Sequence, residues 1–140
     1  MSYALDHDEM LKNICYGLYQ PCLGIYHKNA WMAPKPMPQP IHQNLDKAEE
    51  LLDEAGWTDT DGDGYRDKTI NGRKLKFEFT LLVRSGSTTG QKTAELLKDN
   101  LDQIGVRGHV RPTEFTVFQQ KTLNHEFHAY LGGWGTGADP

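Results

Sequence analysis

This chain of 140 residues has no long apolar run, no cluster of basic residues and only two cysteines. No stretch approaches the roughly 18 consecutive apolar residues that a membrane helix requires. Lys and Arg number 15 against 19 Asp and Glu, which gives a formal net charge of −4. Because binding along a phosphate backbone depends on clustered positive charge, we expect no nucleic acid partner.

The two cysteines, Cys15 and Cys22, are too few for a disulfide scaffold. A single bridge between them and a pair of buried, unpaired thiols are both compatible with their spacing. The chain has the length of one compact domain, so we expect residues 1–140 to form a single domain.

Four segments carry apolar residues at helical spacing: 1–17, 44–56, the stretch that follows a turn over 85–90 and ends at Gly105, and 114–124. Asp6 or Asp8 can cap the first helix, and glycines end the second and the third. Each segment has one apolar stripe, which predicts amphipathic helices that pack against a common layer. Between the first two, the proline-rich run over 34–40 predicts an extended surface connection.

Residues 75–83 alternate apolar and polar side chains with a period of two, which predicts a strand. Two further strands are predicted at 106–111 and 127–133. A strand, a long helix and a strand in this order predict a right-handed crossover between parallel strands. The predicted fold class is therefore α/β, with a small sheet of parallel strands joined by crossover helices.

Residues 59–67, which we call the acidic loop, match the first nine positions of an EF-hand calcium loop. The candidate metal ligands are four carboxylates and one main-chain carbonyl, from Asp59, Asp61, Asp63, Asp67 and Tyr65. The match then ends, because position 12 is Ile70 where a bidentate Glu should stand. Since four carboxylates this close repel one another, we expect the loop to bind a structural calcium ion weakly or to splay into solvent.

Two segments contain the residue types of a known functional motif but lack the spacing that the motif requires. In residues 86–93, Gln91 separates the last glycine from Lys92, whereas a phosphate loop needs the two adjacent, so we interpret this segment as a helix cap. His125 and His128 have no third metal ligand nearby and are interpreted as surface histidines. No serine or cysteine stands at a catalytic spacing from a histidine, so we predict neither enzyme activity nor a required cofactor.

Glycines surround a tryptophan directly after the last predicted strand. Glycine lets a ligand approach the backbone closely, and ligands of open α/β sheets bind beyond the carboxyl ends of the strands. We therefore predict a ligand-binding segment that consists of Gly133, Trp134, Gly135 and Thr136.

Six segments in a fixed order carry a family resemblance: residues 3–10, the Tyr16-Gly17-Leu18 turn before Pro21, and residues 46–57, 61–67, 101–106 and 133–140. Together they resemble the family 5 extracellular solute-binding proteins, which are the peptide, oligosaccharide and nickel receptors of bacterial ABC importers. The likeness covers essentially the whole chain. No segment is diagnostic alone, whereas the ordered set is.

The resemblance implies one lobe of a two-lobed periplasmic-binding-protein-like fold, an excised part of the C-terminal lobe of a longer receptor. Such a receptor closes by hinge motion around a small solute, here a peptide or an oligosaccharide, and delivers it to an ABC transporter permease. The implied location is extracytoplasmic, in the periplasm or on the outer face of the bacterial cell membrane. The membrane would be contacted only through a lipid anchor outside residues 1–140.

The closing motif departs from that of the peptide-binding members, which commonly reads Trp-x-x-Asp-Tyr-x-Asp-Pro and pairs its first Asp with the peptide's α-amino group. Gly137 and Ala138 stand in place of Asp-Tyr, and the motif is one residue shorter. Because an uncompensated ammonium group is costly in a closed cleft, an oligosaccharide stacked on Trp134 competes with a peptide as the expected ligand. The alternative functions are a free-standing calcium-stabilised extracellular interaction domain and, third, a small hydrolase.

Overall fold

The computed structural model describes residues 1–21 and 29–133. Its regular elements, numbered in chain order, are helices α1 (His7–Glu9), α2 (Leu45–Glu54), α3 (Thr88–Asp102) and α4 (Phe115–Leu123), a π-helix (Met10–Ile14), and strands β1 (Asp67–Ile70), β2 (Arg73–Lys76), β3 (Glu78–Arg84), β4 (Arg107–Thr113) and β5 (Ala129–Leu131). Within the described ranges, every helix is too short or too polar to cross a membrane.

A three-stranded parallel sheet in the order β4-β3-β5 organises the second half of the chain. The central strand β3 pairs in parallel with β4 over its whole length and with β5 over Leu81–Val83. These three residues are all buried, so both faces of β3 are covered. Helix α3 connects β3 to β4, and α4 connects β4 to β5. The predicted α/β class with parallel strands and crossover helices is therefore confirmed.

Helix α2 begins at the cap that the sequence predicts, Asn44, and α3 begins after Ser87, within the segment interpreted as a helix cap. The Asn44 side chain accepts the N–H of Lys47 at 2.8 Å, and Ser87 Oγ accepts the N–H of Gly90 at 3.1 Å. The apolar faces of the two helices then enter the core. Its buried apolar residues form two clusters, one of Ala4, Ala48, Leu101, Ile104 and Val106, the other of Leu81, Val83 and Ala94.

The predicted helix over 1–17 is wrong in both extent and type. A single α-helical turn follows its cap, Asp6, whose carboxylate accepts the N–H of Glu9 at 2.8 Å, and the chain continues as the π-helix. Ala4 is fully buried in the core, and the Asp6 N–H donates to Asn100 Oδ1 on α3 at 2.9 Å. These tertiary contacts hold the first residues in a turn and override the helical spacing.

The single strand predicted at 75–83 is in fact two strands in two sheets. β2 pairs antiparallel with β1, whereas β3 begins after Phe77 and belongs to the parallel sheet. The Phe77 N–H donates to the Arg66 carbonyl at 2.7 Å, and its carbonyl accepts from the Arg107 N–H at 3.0 Å. Because the alternation of side chains continues through this junction, alternation alone predicts one strand.

Strand β1 and its hairpin with β2 have no counterpart among the predicted strands. The turn consists of Asn71 and Gly72, with φ of 52° and 76°. Asn-Gly with positive φ at both residues is the pattern of a type I′ hairpin turn, so this dipeptide is the sequence signal for the hairpin. The hairpin has a functional consequence, since it carries two lysines of β2 to the acidic loop.

The remaining elements differ from the predictions at their ends. The strand predicted at 106–111 begins and ends later, as β4, and the strand predicted at 127–133 shortens to β5. Glu114 caps α4 as the start of the predicted helix requires. The run over 34–40 contains neither helix nor strand, as predicted, and its Lys35–Pro36 peptide bond is cis.

Candidate functional site

A cavity of about 370 Å³, which we call the strand-end cavity, opens beyond the carboxyl ends of β3 and β5. It is lined by strand ends, by the start of α3, by α4 and by the π-helix: Met10, Val83, Arg84, Ser87, Thr89, Gly90, Thr93, Phe115, Phe118, Leu131, Gly132 and Gly133. Its volume is in the range of small-molecule sites. Its position is the one at which open α/β sheets bind ligands.

The turn from β3 into α3 forms one wall of the strand-end cavity. Ser87 caps the helix, and Gly90 lies in the first turn, where a Cβ would stand 2.8 Å from Ser87 Oγ. Glycine at this position therefore permits the close approach that the cap needs. The segment over 86–93, interpreted from the sequence as a helix cap, thus contains the capping Ser87 and the first turn of α3.

Arg84 is the one charged residue among the described residues that line the strand-end cavity. It ends β3, and its guanidinium lies over the ring of Phe115, 5.1 Å from the ring centroid. On the same helix, Phe118 packs edge to face against Tyr130 of β5, with centroids 5.9 Å apart, and this contact holds α4 against the sheet. The cavity therefore combines apolar and aromatic surface with three hydroxyl groups and one cation.

Of the four predicted ligand residues, Gly133 lines the strand-end cavity. Trp134, Gly135 and Thr136 lie outside the described residues. The sequence analysis missed Arg84. The available signal was its position, because a charged residue that ends a buried strand directly before a Ser-Gly-Ser turn lies where α/β sheets bind ligands.

A larger cavity of about 700 Å³ adjoins the first, and we call it the N-terminal cavity. Met10 and Gly132 line both cavities, so the two share a wall. Its other side is formed by the N-terminal segment and by the residues after the proline run. There the side chains of Asp8 and His42 approach to 3.2 Å.

The acidic loop obtains its counter-charges from the β1-β2 hairpin. The Lys76 ammonium group lies 2.7 Å from Asp61 and 2.8 Å from Asp63. The Lys74 ammonium group lies 2.9 Å from Asp61 and 3.2 Å from Asp67. Neither predicted alternative, calcium binding or splaying into solvent, includes this arrangement, in which lysines of the same chain offset the carboxylates.

Local hydrogen bonds complete the geometry of the acidic loop. The Asp59 carboxylate accepts the N–H groups of Gly62 at 2.8 Å and Gly64 at 2.9 Å. Asp67 is buried, and its carboxylate accepts both the N–H and the hydroxyl group of Thr60 at 3.1 Å and 2.7 Å. The loop is therefore folded against the protein by its own side chains.

Three of the five predicted metal ligands converge. Oxygens of Asp59, Asp61 and Asp67 lie within 4.8 Å of one another, and in the described part of the chain no other three His, Cys, Asp or Glu side chains converge in this way. Asp63 is not in this group and pairs with a lysine. Tyr65 lies with its ring under the guanidinium of an arginine of β4, 3.7 Å from the ring centroid.

The lysines shift the ionisation of the acidic loop. Hydrogen bonds from Lys76 lower the pKa of both Asp61 and Asp63, and the same bonds raise the pKa of Lys76. Burial raises the pKa of Asp67, but hydrogen bonds from Thr60 and from a lysine outweigh it, so the pKa is lowered overall. Asp61, Asp63 and Asp67 are therefore ionised and paired with lysines at neutral pH.

The remaining candidate residues have structural surroundings. His128 Nδ1 accepts the N–H of Thr80 at 3.1 Å, and neither His125 nor His128 is in a group of three metal ligands among the described residues. Cys15 has a free, half-buried thiol, and Cys22 lies outside the described residues.

The family model of the bacterial extracellular solute-binding proteins, family 5 Middle, matches residues 1–140. The chain belongs to family 5 of the extracellular solute-binding proteins. Family 5 is a family of binding proteins, and this membership confirms the resemblance seen in the sequence. The comparisons give no support to a free-standing calcium-stabilised interaction domain.

Two curated relatives of this family 5 chain differ in the solutes that their names give. The oligopeptide-binding protein AppA of Bacillus subtilis (strain 168) is 30% identical over 143 residues. The nickel-binding periplasmic protein of Escherichia coli (strain K12) is 23% identical over 141 residues. Each alignment covers 100% of this chain and 26% of the relative, so the chain spans about a quarter of the length of these relatives.

Solved structures of similar proteins have the same fold as this chain. AppA from Bacillus subtilis in complex with a nonapeptide has a TM-score of 0.88 at 28% identity, over 99% of this chain and 27% of that one. A periplasmic oligopeptide-binding protein from Thermotoga maritima with bound mannohexaose has a TM-score of 0.75 at 17% identity, over 99% and 26% of the two chains. The second likeness shows the fold alone. The architecture is thus that of one lobe of a periplasmic binding protein.

Proposed function

We propose that this chain contributes a solute-binding surface to an extracytoplasmic receptor, and that the strand-end cavity is this surface. The observation that carries the proposal is the position of the cavity beyond the carboxyl ends of β3 and β5, in a chain of a solute-binding family. The lining supports it further, since apolar and aromatic walls with a few polar groups are typical of small-molecule sites.

The proposed solute is a peptide or an oligosaccharide, the two kinds of ligand named for AppA and for the Thermotoga maritima protein. The hydroxyl groups of Ser87, Thr89 and Thr93 can hydrogen-bond to either. The ring of Phe115 offers an aromatic face to a sugar or to an apolar side chain.

Trp134 supplies a second aromatic face in this proposal. It directly follows Gly133, which lines the strand-end cavity, and Gly135 and Thr136 complete the binding segment. A tryptophan ring adds apolar contact area together with an N–H donor. No chemical step is proposed for the bound solute, because the family is one of binding proteins.

The receptor acts outside the cytoplasmic membrane in this proposal. The family is described as extracellular, and the Escherichia coli relative is named as periplasmic. Closure of the lobes around the solute would precede its transfer to the permease of an ABC transporter. A lipid anchor outside residues 1–140 would hold the receptor at the membrane.

The replacement Trp134→Ala tests the proposed site in the longest natural polypeptide that contains this chain. Calorimetric titration with an alanine nonapeptide and with mannohexaose measures the affinity. We expect a loss of about tenfold for whichever probe binds, because an aromatic contact is removed. The matched control is Trp31→Ala, since Trp31 is 78% exposed and lines neither cavity, and its affinity should be that of the wild type.

The possible results distinguish a wrong role for Trp134 from a wrong proposed function. An unchanged affinity in Trp134→Ala would remove this residue from the site while the cavity stayed a candidate. A wild-type protein that binds neither the peptide nor the sugar would contradict the proposed function itself.

A further inference from the structure

We propose that Arg84 binds a carboxylate of the solute, so that the strand-end cavity selects solutes that carry a carboxylate, such as peptides, over neutral oligosaccharides. This inference rests on the proposed function, because it names the class of solute for the same cavity. It is carried by the position of Arg84, by the way its side chain is held and by the lack of a charge partner.

The backbone of Arg84 is fixed on both sides. The residue ends the central strand β3, where it pairs with Thr113 of β4. The next N–H, that of Ser85, donates to the Thr113 carbonyl at 2.9 Å, and the Ser87 N–H donates to the Arg84 carbonyl at 3.1 Å. A side chain that starts from such a position reaches the cavity from a rigid element, which favours a defined binding geometry.

The guanidinium of Arg84 is held by an aromatic ring. It lies over Phe115, which is 45% exposed and lines the same cavity, 5.1 Å from the ring centroid. The ring attracts the cation without supplying an oxygen acceptor, so the N–H groups of the guanidinium stay available for another partner. Two parallel N–H groups of a guanidinium match the two oxygens of a carboxylate.

The charge of Arg84 has no partner within the described part of the chain. None of the ion pairs found there includes Arg84, and the described lining contains neither Asp nor Glu. Arg66 shows the usual alternative for an arginine, because it pairs with Asp53. An unpaired guanidinium that lines a ligand cavity is therefore available to an anion of the ligand.

When a cleft closes around a solute, the charge of Arg84 favours a solute that supplies a counter-charge. A neutral sugar would remove water from the guanidinium without supplying a counter-charge, which disfavours binding. A peptide supplies a carboxylate from its C-terminus or from an acidic side chain. The structure thus favours a peptide, whereas the Gly137-Ala138 pair in the closing motif favours an oligosaccharide.

Four probes separate these cases by calorimetric titration of the longest natural polypeptide that contains this chain. They are an alanine nonapeptide with a free C-terminus, the same peptide amidated, the amidated peptide with one internal Glu, and mannohexaose. The wild type should bind a peptide with a carboxylate about tenfold more tightly than the amidated peptide without Glu. This comparison needs no variant and is therefore independent of any folding defect.

The replacement Arg84→Gln should remove that preference, lowering the affinity for the carboxylate peptide about tenfold while the amidated peptide binds as before. Arg84→Lys should restore part of the preference, because it keeps the charge without the planar pair of donors. Arg111→Gln is the matched control: Arg111 is exposed on β4 and does not line the strand-end cavity, so it should leave all affinities unchanged.

A preference for the free C-terminus identifies the terminal carboxylate, a preference for the internal Glu identifies a side chain, and either result supports the inference. Equal affinity for peptides with and without a carboxylate would overturn it while leaving the proposed function in place. Tighter binding of mannohexaose than of every peptide would overturn it in the same way. A wild type that binds none of the four probes would contradict the proposed function, and this inference with it.

Discussion

The acidic loop and the strand-end cavity differ in whether the protein supplies partners for their charged side chains. In the loop, Asp61, Asp63 and Asp67 each pair with a lysine of β2. In the cavity, Arg84 lies over an aromatic ring and takes part in no ion pair of the described chain. Three of the four carboxylates of the loop therefore have counter-charges within the protein, whereas the cavity holds a positive charge that an anionic group of a ligand can pair with.

This difference shows that the density of charged residues in a sequence is a poor guide to a binding site. The acidic loop has the more conspicuous motif, yet the lysines that hold Asp61 lie 13 and 15 residues further along the chain. Arg84, by contrast, is a single arginine at a strand end and belongs to no recognisable sequence motif. What distinguishes the two regions is whether the fold supplies a partner for each charge.

The largest effect is expected where the acidic loop is attached to the fold. Arg66 donates from Nε to the Ile104 carbonyl and from Nη1 to the Trp57 carbonyl, each at 2.8 Å, and also pairs with Asp53. Arg66→Ala leaves these acceptors without a donor, so we expect the free energy of unfolding to fall by about 2 kcal/mol. Urea denaturation measures it.

The matched control for Arg66→Ala is Arg73→Ala, because Arg73 is exposed at the hairpin. Its unfolding free energy should stay within about 0.5 kcal/mol of the wild type. Solute affinity should be unchanged in both variants, since neither residue lines the strand-end cavity. Equal stability of the two variants would show that the loop is not held by Arg66.

A smaller effect is expected when the counter-charges of the acidic loop are removed. Calcium binding at Asp59, Asp61 and Asp67 stays a prediction, and a calcium ion would have to displace ammonium groups from two of them. We expect calorimetry to give a wild-type dissociation constant no lower than roughly 10⁻⁴ to 10⁻³ M. The double variant Lys74→Met/Lys76→Met should bind calcium about tenfold more tightly, because two positive charges are gone.

Lys68→Met is the control for the calcium experiment. Lys68 belongs to the same hairpin, but its ammonium group donates to the Ala55 carbonyl at 2.6 Å instead of to a carboxylate. Its calcium affinity should equal that of the wild type. If the double variant bound calcium no better than this control, the lysines would not be the counter-charges of the loop.

The smallest effect concerns pH. Asp61 and Asp63 have a lowered pKa in the folded protein because of Lys76, against an ordinary value of 3.8. Their contribution to stability is therefore complete above about pH 4 and is lost as the pH falls through the lowered folded values. The thermal midpoint of the wild type should fall more steeply below about pH 4 than that of Lys76→Met.

Because these groups are exposed, the difference should be small and should shrink at high salt. The pH dependence has the opposite direction for Lys76, because its pKa is raised. Its contribution to stability is complete below its ordinary pKa of 10.5 and is lost as the pH rises through the raised value. Lys68→Met again serves as the control and should follow the wild type. Parallel acid profiles for wild type and Lys76→Met would contradict the pairing.

Much of the fold follows from local sequence. Asn44 is a side-chain cap directly before an apolar stripe, and α2 begins where it predicts, whereas α3 begins at Thr88, inside the predicted 85–90 turn, because Ser87 caps it. The crossover between parallel strands follows from the order of elements and the handedness of such connections. The helix caps depend on neighbours within one or two helical turns, and the crossover depends on the order of the elements, both of which can be seen in a sequence.

Other features depend on contacts between distant segments. Ala4 enters the core and Asp6 donates to Asn100, so the first residues turn instead of forming a helix. The hairpin could have been predicted from Asn71-Gly72, but the pairing of its lysines with the acidic loop needs the register of two strands. The strand-end cavity needs five elements at once, so only its place beyond the strand ends was predictable.

The central claim is that the strand-end cavity binds a solute that carries a carboxylate. Native mass spectrometry of the longest natural polypeptide that contains this chain, as purified and after incubation with mixed peptides and oligosaccharides, tests it most directly. The account predicts bound masses that form a peptide series and that weaken in Arg84→Gln. A protein that stays bare under both conditions, or that retains only a hexose series, would contradict it.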